Sequence, residues 1–231
     1  MCLLVLTVQG NLQLFKLLEK QVLIWVSIAM QTITKLVLTI LTHLTLIHGD
    51  DFLQSVIESS LFREVEGDEL LSRISFRNNK IIFSEDYLVN DYFTSFLVSY
   101  ILSNLIGQRD KFSYETVMSH PSKLSLMQTA KDKGYKVYLY FISLVDPQLN
   151  IGRVATRVQF GGHDVPTNKV ESRYYKSMEN LLPAIRIADK SYIFDNSYKE
   201  PKMIATVINK EISILPTTIP LWFKTYVLEK L

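Results

Sequence analysis

Apolar positions after residue 50 alternate between strand-like and helix-like spacing. The stretches KFSYETV, KVYLYFISLV and SYIFDN are rich in β-branched and aromatic residues and predict strands. Between them, PSKLSLMQTAKDK and the segment after Pro166 carry apolar residues three and four positions apart, which is typical of helices. Because strands and helices alternate, the pattern predicts an α/β layer fold with a mostly parallel sheet and helices on both faces.

Proline, glycine and aspartate mark the ends of these helices. Pro121 opens the first helix, and Gly134 stands just past its end. Asp146 is the predicted N-cap of the next helix, which has Pro147 in its first turn and runs through Arg157. The helix after residue 166 has one apolar face, formed by Val170, Tyr174, Met178 and Leu181.

Several shorter elements complete the pattern. Two β-rich stretches predict hairpins, with turns at residues 78–79 and 209–210. FLQSVIESSLF predicts a short helix after Asp50 and Asp51, and TTIPLWFKTYVLEKL a closing one. A long apolar helix begins at Asn90 or Asp91 and ends at Gly107, and we expect it to be buried.

The first 48 residues differ from the rest of the chain. They contain one acidic residue, Glu19, one glycine, Gly10, and no proline. The apolar stretch Val22–Ile47 is interrupted by three polar residues, so no uninterrupted apolar run in it reaches the length that a bilayer needs: Gln31, Lys35 and His43. The start, MCLLVLTVQGNLQLF, lacks the positive charge of a signal peptide. We therefore expect neither a membrane anchor nor a secretory leader, and leave the fold of this segment open.

Composition narrows the class of protein. The 231 residues suit one domain with a sizeable core, and 25 basic against 23 acidic residues give a net charge of +2. This balance offers no basic face for nucleic acid. The only cysteine, Cys2, excludes an internal disulfide and a cysteine-based zinc site, so we assign no metal ligand and expect a cytoplasmic protein.

Arginines on two predicted helices are the first candidate for chemistry. Arg153 and Arg157 are four residues apart on one helix, so they project together, and Arg173 follows on the next helix. Guanidinium groups are always charged and donate paired hydrogen bonds, which suits a transferring phosphate. Spacing alone favours the alternative, in which these are solvated arginines that pair with Glu171 and Asp164.

The turn QFGGHDVP joins those two helices. Gly161 and Gly162 permit backbone angles that other residues resist, and they could serve as the hinge of a lid. His163 could contact a phosphate or a substrate, although a histidine beside Asp164 is more often a turn or capping residue.

A polar pair at the end of the strand KFSYETV is the second candidate. Glu115 and Thr116 stand where α/β sheets bind ligands, so Glu115 could hold a substrate hydroxyl or cap a neighbouring helix. A hydrolase is disfavoured because the stretch lacks a G-x-S-x-G elbow, despite its serines and a histidine: Ser113, Ser119 and His120. Asp195–Asn196 fits simple turn chemistry.

Five stretches together resemble the zeta-toxin-like P-loop ATPase/kinase family: FSYETVMSHPSK, GYKVYLYFISLVDPQLNIGRV, TRVQFGGHDVP, RYYKSMENL and YIFDNS. The resemblance runs from about residue 50 to 231 and implies a three-layer P-loop fold. Family members resemble nucleotide kinases, and the best known phosphorylate a nucleotide-activated amino sugar. The resemblance implies ATP and Mg²⁺ as cofactors, a small-molecule hydroxyl as acceptor, and an antitoxin-like protein as a possible partner.

The resemblance also assigns roles to residues. Arg157 and Arg173 would act in catalysis by neutralising the ATP phosphates and the transferred group. Arg153 and His163 would join them in binding the nucleotide, with His163 in a lid. Glu115 would contribute to catalysis and, with Thr116, line the substrate side.

Two family motifs are missing: a glycine-rich loop with Lys and Ser or Thr, and an aspartate after the second strand. We hypothesise that residues 1 to about 48 are an out-of-frame translation of them, before a kinase domain at 49–231. When the last base of each codon is read with the first two bases of the next, Lys20–Thr34 can give AGFDLGLYCNADDY, and Thr7–Gln13 can give GPGKST. A gene sequence whose shifted frame is full of stops would contradict this.

The expected function is therefore ATP-dependent phosphoryl transfer to a small-molecule hydroxyl, impaired or lost in this chain. Two alternatives stay open. One is a non-catalytic binding protein on the same fold, and the other is a membrane-attached protein that uses residues 22–47.

Overall fold

The computed structural model describes Gln54, Glu58 and residues 2–7, 72–77, 80–84, 98–99, 102–107, 112–162, 164–215 and 218–231. The chain forms two compact units, one of residues Met1–Val26 with Arg109–Leu231 and the other of Ser27–Gln108. The proposed division into segments 1–48 and 49–231 stays a prediction.

The described elements are named in chain order. The strands are β1 (Cys2–Thr7), β2 (Ile74–Arg77), β3 (Lys80–Phe83), β4 (Phe112–Thr116), β5 (Lys136–Ser143), β6 (Lys190–Asp195), β7 (Lys202–Ile208) and β8 (Glu211–Ile214). The helices are α1 (Ser122–Asp132), α2 (Pro147–Gln159), α3 (Thr167–Ile187) and α4 (Leu221–Tyr226), and a 3₁₀ turn spans Leu228–Lys230.

The larger unit contains a six-stranded sheet in the order β4-β1-β5-β6-β7-β8. The prediction of an α/β fold is confirmed, and β4, β5 and β6 share one direction as expected. The sheet is nevertheless mixed, because β1 lies antiparallel between β4 and β5, and β7 and β8 are antiparallel to their neighbours. For β7 and β8 the reason is connectivity: the short links after β6 and β7 allow antiparallel hairpins, whereas parallel pairing requires a long crossover.

Strand register fixes which residues share a face of this sheet. Leu4 is opposite both Tyr114 and Leu139, so those two side chains lie on one face, and Val137 and Phe141 lie there too. Trp222 of α4 packs on Phe141, with ring centroids 6.2 Å apart. Helix α3 packs against α1, α4 and β5. This face of the sheet, buried beneath helices, therefore forms the core of the unit.

Most of the predicted elements inside the described residues are confirmed. The strands β2 and β3 pair antiparallel as one predicted hairpin, and β7 and β8 pair as the other, with positive φ at Asn209 and Lys210. Asp146 accepts a hydrogen bond from Gln148 N at 2.7 Å as the predicted N-cap. Gly134 has φ +86° just past α1, which glycine adopts without strain. The closing helix is shorter than predicted, because the chain tightens into a 3₁₀ turn.

Other predictions fall partly or wholly outside the described residues. Residues 98–99 and 102–107 are helical, but the predicted start of the long apolar helix lies outside the described residues. Gln54 and Glu58 are helical and joined by a 2.7 Å side-chain hydrogen bond. The stretch Val22–Ile47 lies outside the described residues. Within the described ranges, no helix has the length and apolar character needed to cross a membrane.

Asp189 joins three elements at the amino-terminal edge of the sheet. Its carboxylate accepts from Val137 N at 2.9 Å and lies 3.4 Å from Lys131 Nζ and 3.5 Å from Lys136 Nζ. Its own N–H donates to Val137 O at 2.8 Å. Since Lys131 Nζ also reaches Ile187 O at 2.7 Å, the ends of α1 and α3 are tied to the start of β5 and β6.

Replacing Asp189 by alanine should destabilise this unit. The change removes the acceptor for a backbone N–H and the counter-charge of two lysines, so we expect the free energy of unfolding to fall by about 1–3 kcal/mol. Glu229→Ala is the control, because its exposed pair with Lys224 at 3.8 Å should be worth less than about 1 kcal/mol. Urea denaturation followed by circular dichroism measures both. Equal effects of the two substitutions would contradict the assigned role of Asp189.

Candidate functional site

The carboxyl ends of β4, β5 and β6 meet at one edge of the sheet because the three strands run in the same direction. We call this the carboxyl edge, and it comprises the loops 117–121, 144–146 and 196–201. Ligands of α/β sheets bind beyond such ends. The predicted residues Glu115, Thr116 and Arg153 all lie at or beside it.

Helix α3 holds the loop that follows β4. Ser177 Oγ donates to Val117 O and also lies 2.8 Å from Arg173 O, one turn earlier in the helix. Asn180 Nδ2 donates to Met118 O at 2.9 Å. Met118 is fully buried and has φ +57°, an unusual backbone angle for a residue with a side chain. Two side chains of one helix therefore secure a loop in an unfavourable conformation.

The same helix also holds the loop that follows β5. Tyr174 is buried, and its hydroxyl donates to Leu144 O at 2.9 Å. Burial, together with the nearby Tyr175, raises the pKa of Tyr174 to about 12. The phenol therefore stays protonated at neutral pH and keeps donating this bond.

Turn chemistry closes the end of β6. Asp195, only 2% exposed, accepts from Ser197 N at 2.9 Å and from Ser197 Oγ at 2.5 Å. Ser197 Oγ in turn accepts from Val145 N at 2.8 Å, and Asn196 N donates to Ser143 O at 2.7 Å. The interpretation of Asp195–Asn196 as a turn is confirmed, and this turn joins the ends of β5 and β6.

Arg153 and Arg157 lie one turn apart on α2, as predicted, and Arg173 lies on α3, which packs against α2. Arg153 Nη2 donates to Asn196 O at 2.7 Å, so this side chain anchors α2 to the carboxyl edge. Arg157 is exposed one turn further along, whereas Arg173 is half-buried. Convergence of the three guanidinium groups on one phosphate stays a prediction.

The glycine pair ends α2. Gly161 has φ +82°, its N–H donates to Val158 O at 2.9 Å, and Gly162 N–H donates to Arg157 O at 2.9 Å. These two bonds define a Schellman helix end, which requires a residue such as glycine at the left-handed position. The pair therefore has a structural role that the sequence interpretation missed, while its proposed use as a hinge stays a prediction. His163 lies outside the described residues.

Glu115 and Thr116 lie on opposite faces of the sheet, because they are consecutive in β4. Thr116 shares the helix-covered face, and its Oγ1 accepts from Met118 N at 3.3 Å. Glu115 lies opposite Leu3, as does Tyr140, whose ring stacks on Tyr192 at 4.9 Å. Burial raises the pKa of Glu115. A joint role in lining the substrate side stays a prediction.

His120 has a local role in the described structure. Its Nδ1 accepts from Ser122 N at 3.2 Å and lies 2.9 Å from Ser122 Oγ, so it caps the start of α1. This contact accounts for the histidine in the stretch that suggested a hydrolase.

The described residues fit phosphate groups better than they fit a metal ion. Arg157 and Arg173 could bind phosphate oxygens, but the described part of the chain contains no group of three metal-ligating side chains. No step of a reaction is therefore assigned to Mg²⁺.

Comparisons with known proteins place this chain in a family. A family model described as Zeta toxin matches residues 84–210. A curated relative, an uncharacterized protein of Haemophilus influenzae, is 35% identical over 69 residues, which make up 30% of this chain and 49% of that protein. The chain thus spans about half the length of the curated relative it matches. No solved structure matches the chain.

Removing the Tyr174 hydroxyl should loosen the loop that follows β5. We expect Tyr174→Phe to lower the free energy of unfolding by about 1 kcal/mol, because one buried hydrogen bond is lost. Tyr175→Phe, with an exposed ring, is the control and should change little. A raised pKa means that this stabilisation is present below about pH 10 and is lost as the pH rises toward 12. Denaturation of both variants at pH 7 and pH 12 measures it; a deficit of Tyr174→Phe that does not shrink at pH 12 would contradict the assignment.

Two glycines of the same region should respond to alanine with opposite signs. A Cβ at residue 162 would lie 2.5 Å from Arg157 Cγ and 2.9 Å from Arg157 O, so Gly162→Ala must displace backbone and should cost about 1–3 kcal/mol. Gly152, inside α2, has open space around it, and Gly152→Ala should stabilise by about 0.5–1 kcal/mol. Urea denaturation decides; stabilisation by both substitutions would exclude the assigned helix end.

Proposed function

Because the chain belongs to the zeta toxin family, a kinase-like family of P-loop nucleotide-binding proteins, we propose that it descends from enzymes that transfer a phosphoryl group from ATP to a small-molecule hydroxyl. The observation that supports the proposal is the arginines of α2 and α3, which lie inside the matched residues 84–210, with Arg153 bonded to the carboxyl edge. Phosphoryl transfer depends chiefly on positioning and on neutralising charge, which arginines do well.

Each arginine has its own part in this proposal. Arg157 and Arg173 neutralise phosphate oxygens of the nucleotide and of the transferred group. Arg153 acts mainly as a positioning residue, since its bond to Asn196 O holds α2, and with it Arg157, at the edge. Glu115 accepts a hydrogen bond from the acceptor hydroxyl. We infer ATP and Mg²⁺ as cofactors from the family alone, with the cytoplasm as the proposed compartment.

We propose further that this chain grips a nucleotide weakly. Strand β1 runs against β4 and β5, so it ends, at Thr7, at the amino-terminal edge of the sheet. A phosphate-binding loop in that position would be at the far end of the strands from the arginines. This direction supports the view that the chain does not build a triphosphate cradle at the carboxyl edge with the residues after β1.

The second candidate is a non-catalytic binding protein, with an antitoxin-like protein as its partner. Phe160 favours it, because this aromatic residue at the end of α2 is 86% exposed. Val158, two residues earlier, and Tyr175, on the neighbouring helix α3, are also exposed. A contiguous apolar surface formed by such residues would be typical of a protein-binding site. Membrane attachment through residues 22–47 is a weaker third candidate, and carbonate extraction that releases the protein would exclude it.

Titration with a fluorescent ATP analogue tests the proposed weak grip. We expect no saturation below about 1 mM, in the presence or absence of magnesium, because the arginines alone supply only part of the binding energy of a triphosphate. A zeta toxin family protein with an intact glycine loop is the positive control. Tight, magnesium-dependent binding by this chain would overturn the proposal.

A further inference from the structure

Lys123 lies on the face of α1 where helical spacing predicts an apolar residue. Met127 and Ala130, four and seven residues later, are both fully buried on the face of α1 that packs against α3 and β5. Lys123 continues this face toward the carboxyl edge and is half-buried. Its ammonium group therefore lies at the end of a buried stripe, where water solvates it incompletely.

No carboxylate compensates this charge among the described residues, and burial lowers the pKa of Lys123. Lys131, two turns later on the same helix, shows the contrast. It is compensated by Asp189 at 3.4 Å and by Ile187 O at 2.7 Å. A partly desolvated ammonium without a counter-charge is costly, and an anionic ligand would remove that cost.

Arg173 is a second cation in the same situation. It is half-buried, and its guanidinium has no hydrogen bond or ion pair within the part of the chain that the structure describes. Its carbonyl oxygen lies 2.8 Å from Ser177 Oγ, the hydroxyl that also meets Val117 O. Lys123 N donates to His120 O, at the other end of the same loop. Lys123 thus follows the loop 117–121 directly on α1, and Arg173 lies one turn before Ser177, which bonds that loop.

We propose that Lys123 and Arg173 form a subsite for a phosphate group at the loop 117–121, with Lys123 as a binding residue for it. Thr116 lies on the same face of the sheet and can add its hydroxyl hydrogen, because its oxygen accepts from Met118 N. The subsite deepens the proposed function, since it names where a phosphate of the substrate or nucleotide is held. The biological role of the subsite rests on the proposed function, but the experiment that tests the subsite does not.

Isothermal titration with inorganic pyrophosphate, without magnesium or ATP, tests the subsite in the full chain. The matched variants are Lys123→Met, which keeps the length of the side chain, and Lys133→Met, which removes an exposed lysine from the far end of α1. We expect the first to weaken pyrophosphate binding by at least about tenfold and the second by less than about twofold. Arg173→Met should resemble Lys123→Met.

Thermal melting separates a binding role from a structural one. Because methionine suits a buried stripe better than an uncompensated ammonium, Lys123→Met should melt at the same or a higher temperature than the unaltered chain while it loses pyrophosphate. A lower melting temperature with unchanged pyrophosphate binding would overturn the proposal. Failure of the unaltered chain to bind pyrophosphate would also overturn it. Failure to bind ATP alone would count only against the proposed function, since the inorganic probe needs no nucleotide site.

Discussion

Three polar side chains on one face of α3 hold the carboxyl edge together. Tyr174 bonds the loop after β5, and Ser177 and Asn180 bond the loop after β4. All three acceptors are backbone carbonyls, so the loops are fixed by their main chain whatever side chains they carry. The buried stripe of α3 keeps this helix rigid, since Met178, between Ser177 and Asn180 in the sequence, and Leu181, just after Asn180, are buried in the core. The loop between Thr116 and Lys123, which the proposed phosphate subsite uses, depends on that attachment.

Periodicity and capping residues predicted the elements well, because these signals are local. The one-sided stripe of α3, the Asp146 cap and the turn at 209–210 follow from neighbours within a few positions. The bonds of Tyr174, Ser177 and Asn180 could not be predicted, because their partners lie 30 to 62 residues away. Ser177 and Asn180 carry no distinguishing signal in the sequence. Lys123 did carry one, since it stands four residues before Met127, on the apolar face of α1.

Strand direction was the other feature that sequence could not supply. β1 was part of a segment with few turn residues, and nothing in its composition states whether it runs with or against β4 and β5. The observed direction bears on function, because β1 ends at the edge of the sheet opposite the one that Arg153 bonds. The out-of-frame origin of residues 1–48 stays a prediction, and it is compatible with a strand whose direction does not serve nucleotide binding.

We infer that a phosphate-binding surface persists at the carboxyl edge of a kinase-like fold whose nucleotide grip is weak. Amide chemical shifts recorded by NMR during addition of pyrophosphate test it most directly. The account predicts shifts clustered at residues 116–123, 153–157 and 173–177, with the amino-terminal edge around Lys136 and Asp189 unchanged. Shifts centred on that opposite edge, or spread evenly over exposed lysines, would contradict it.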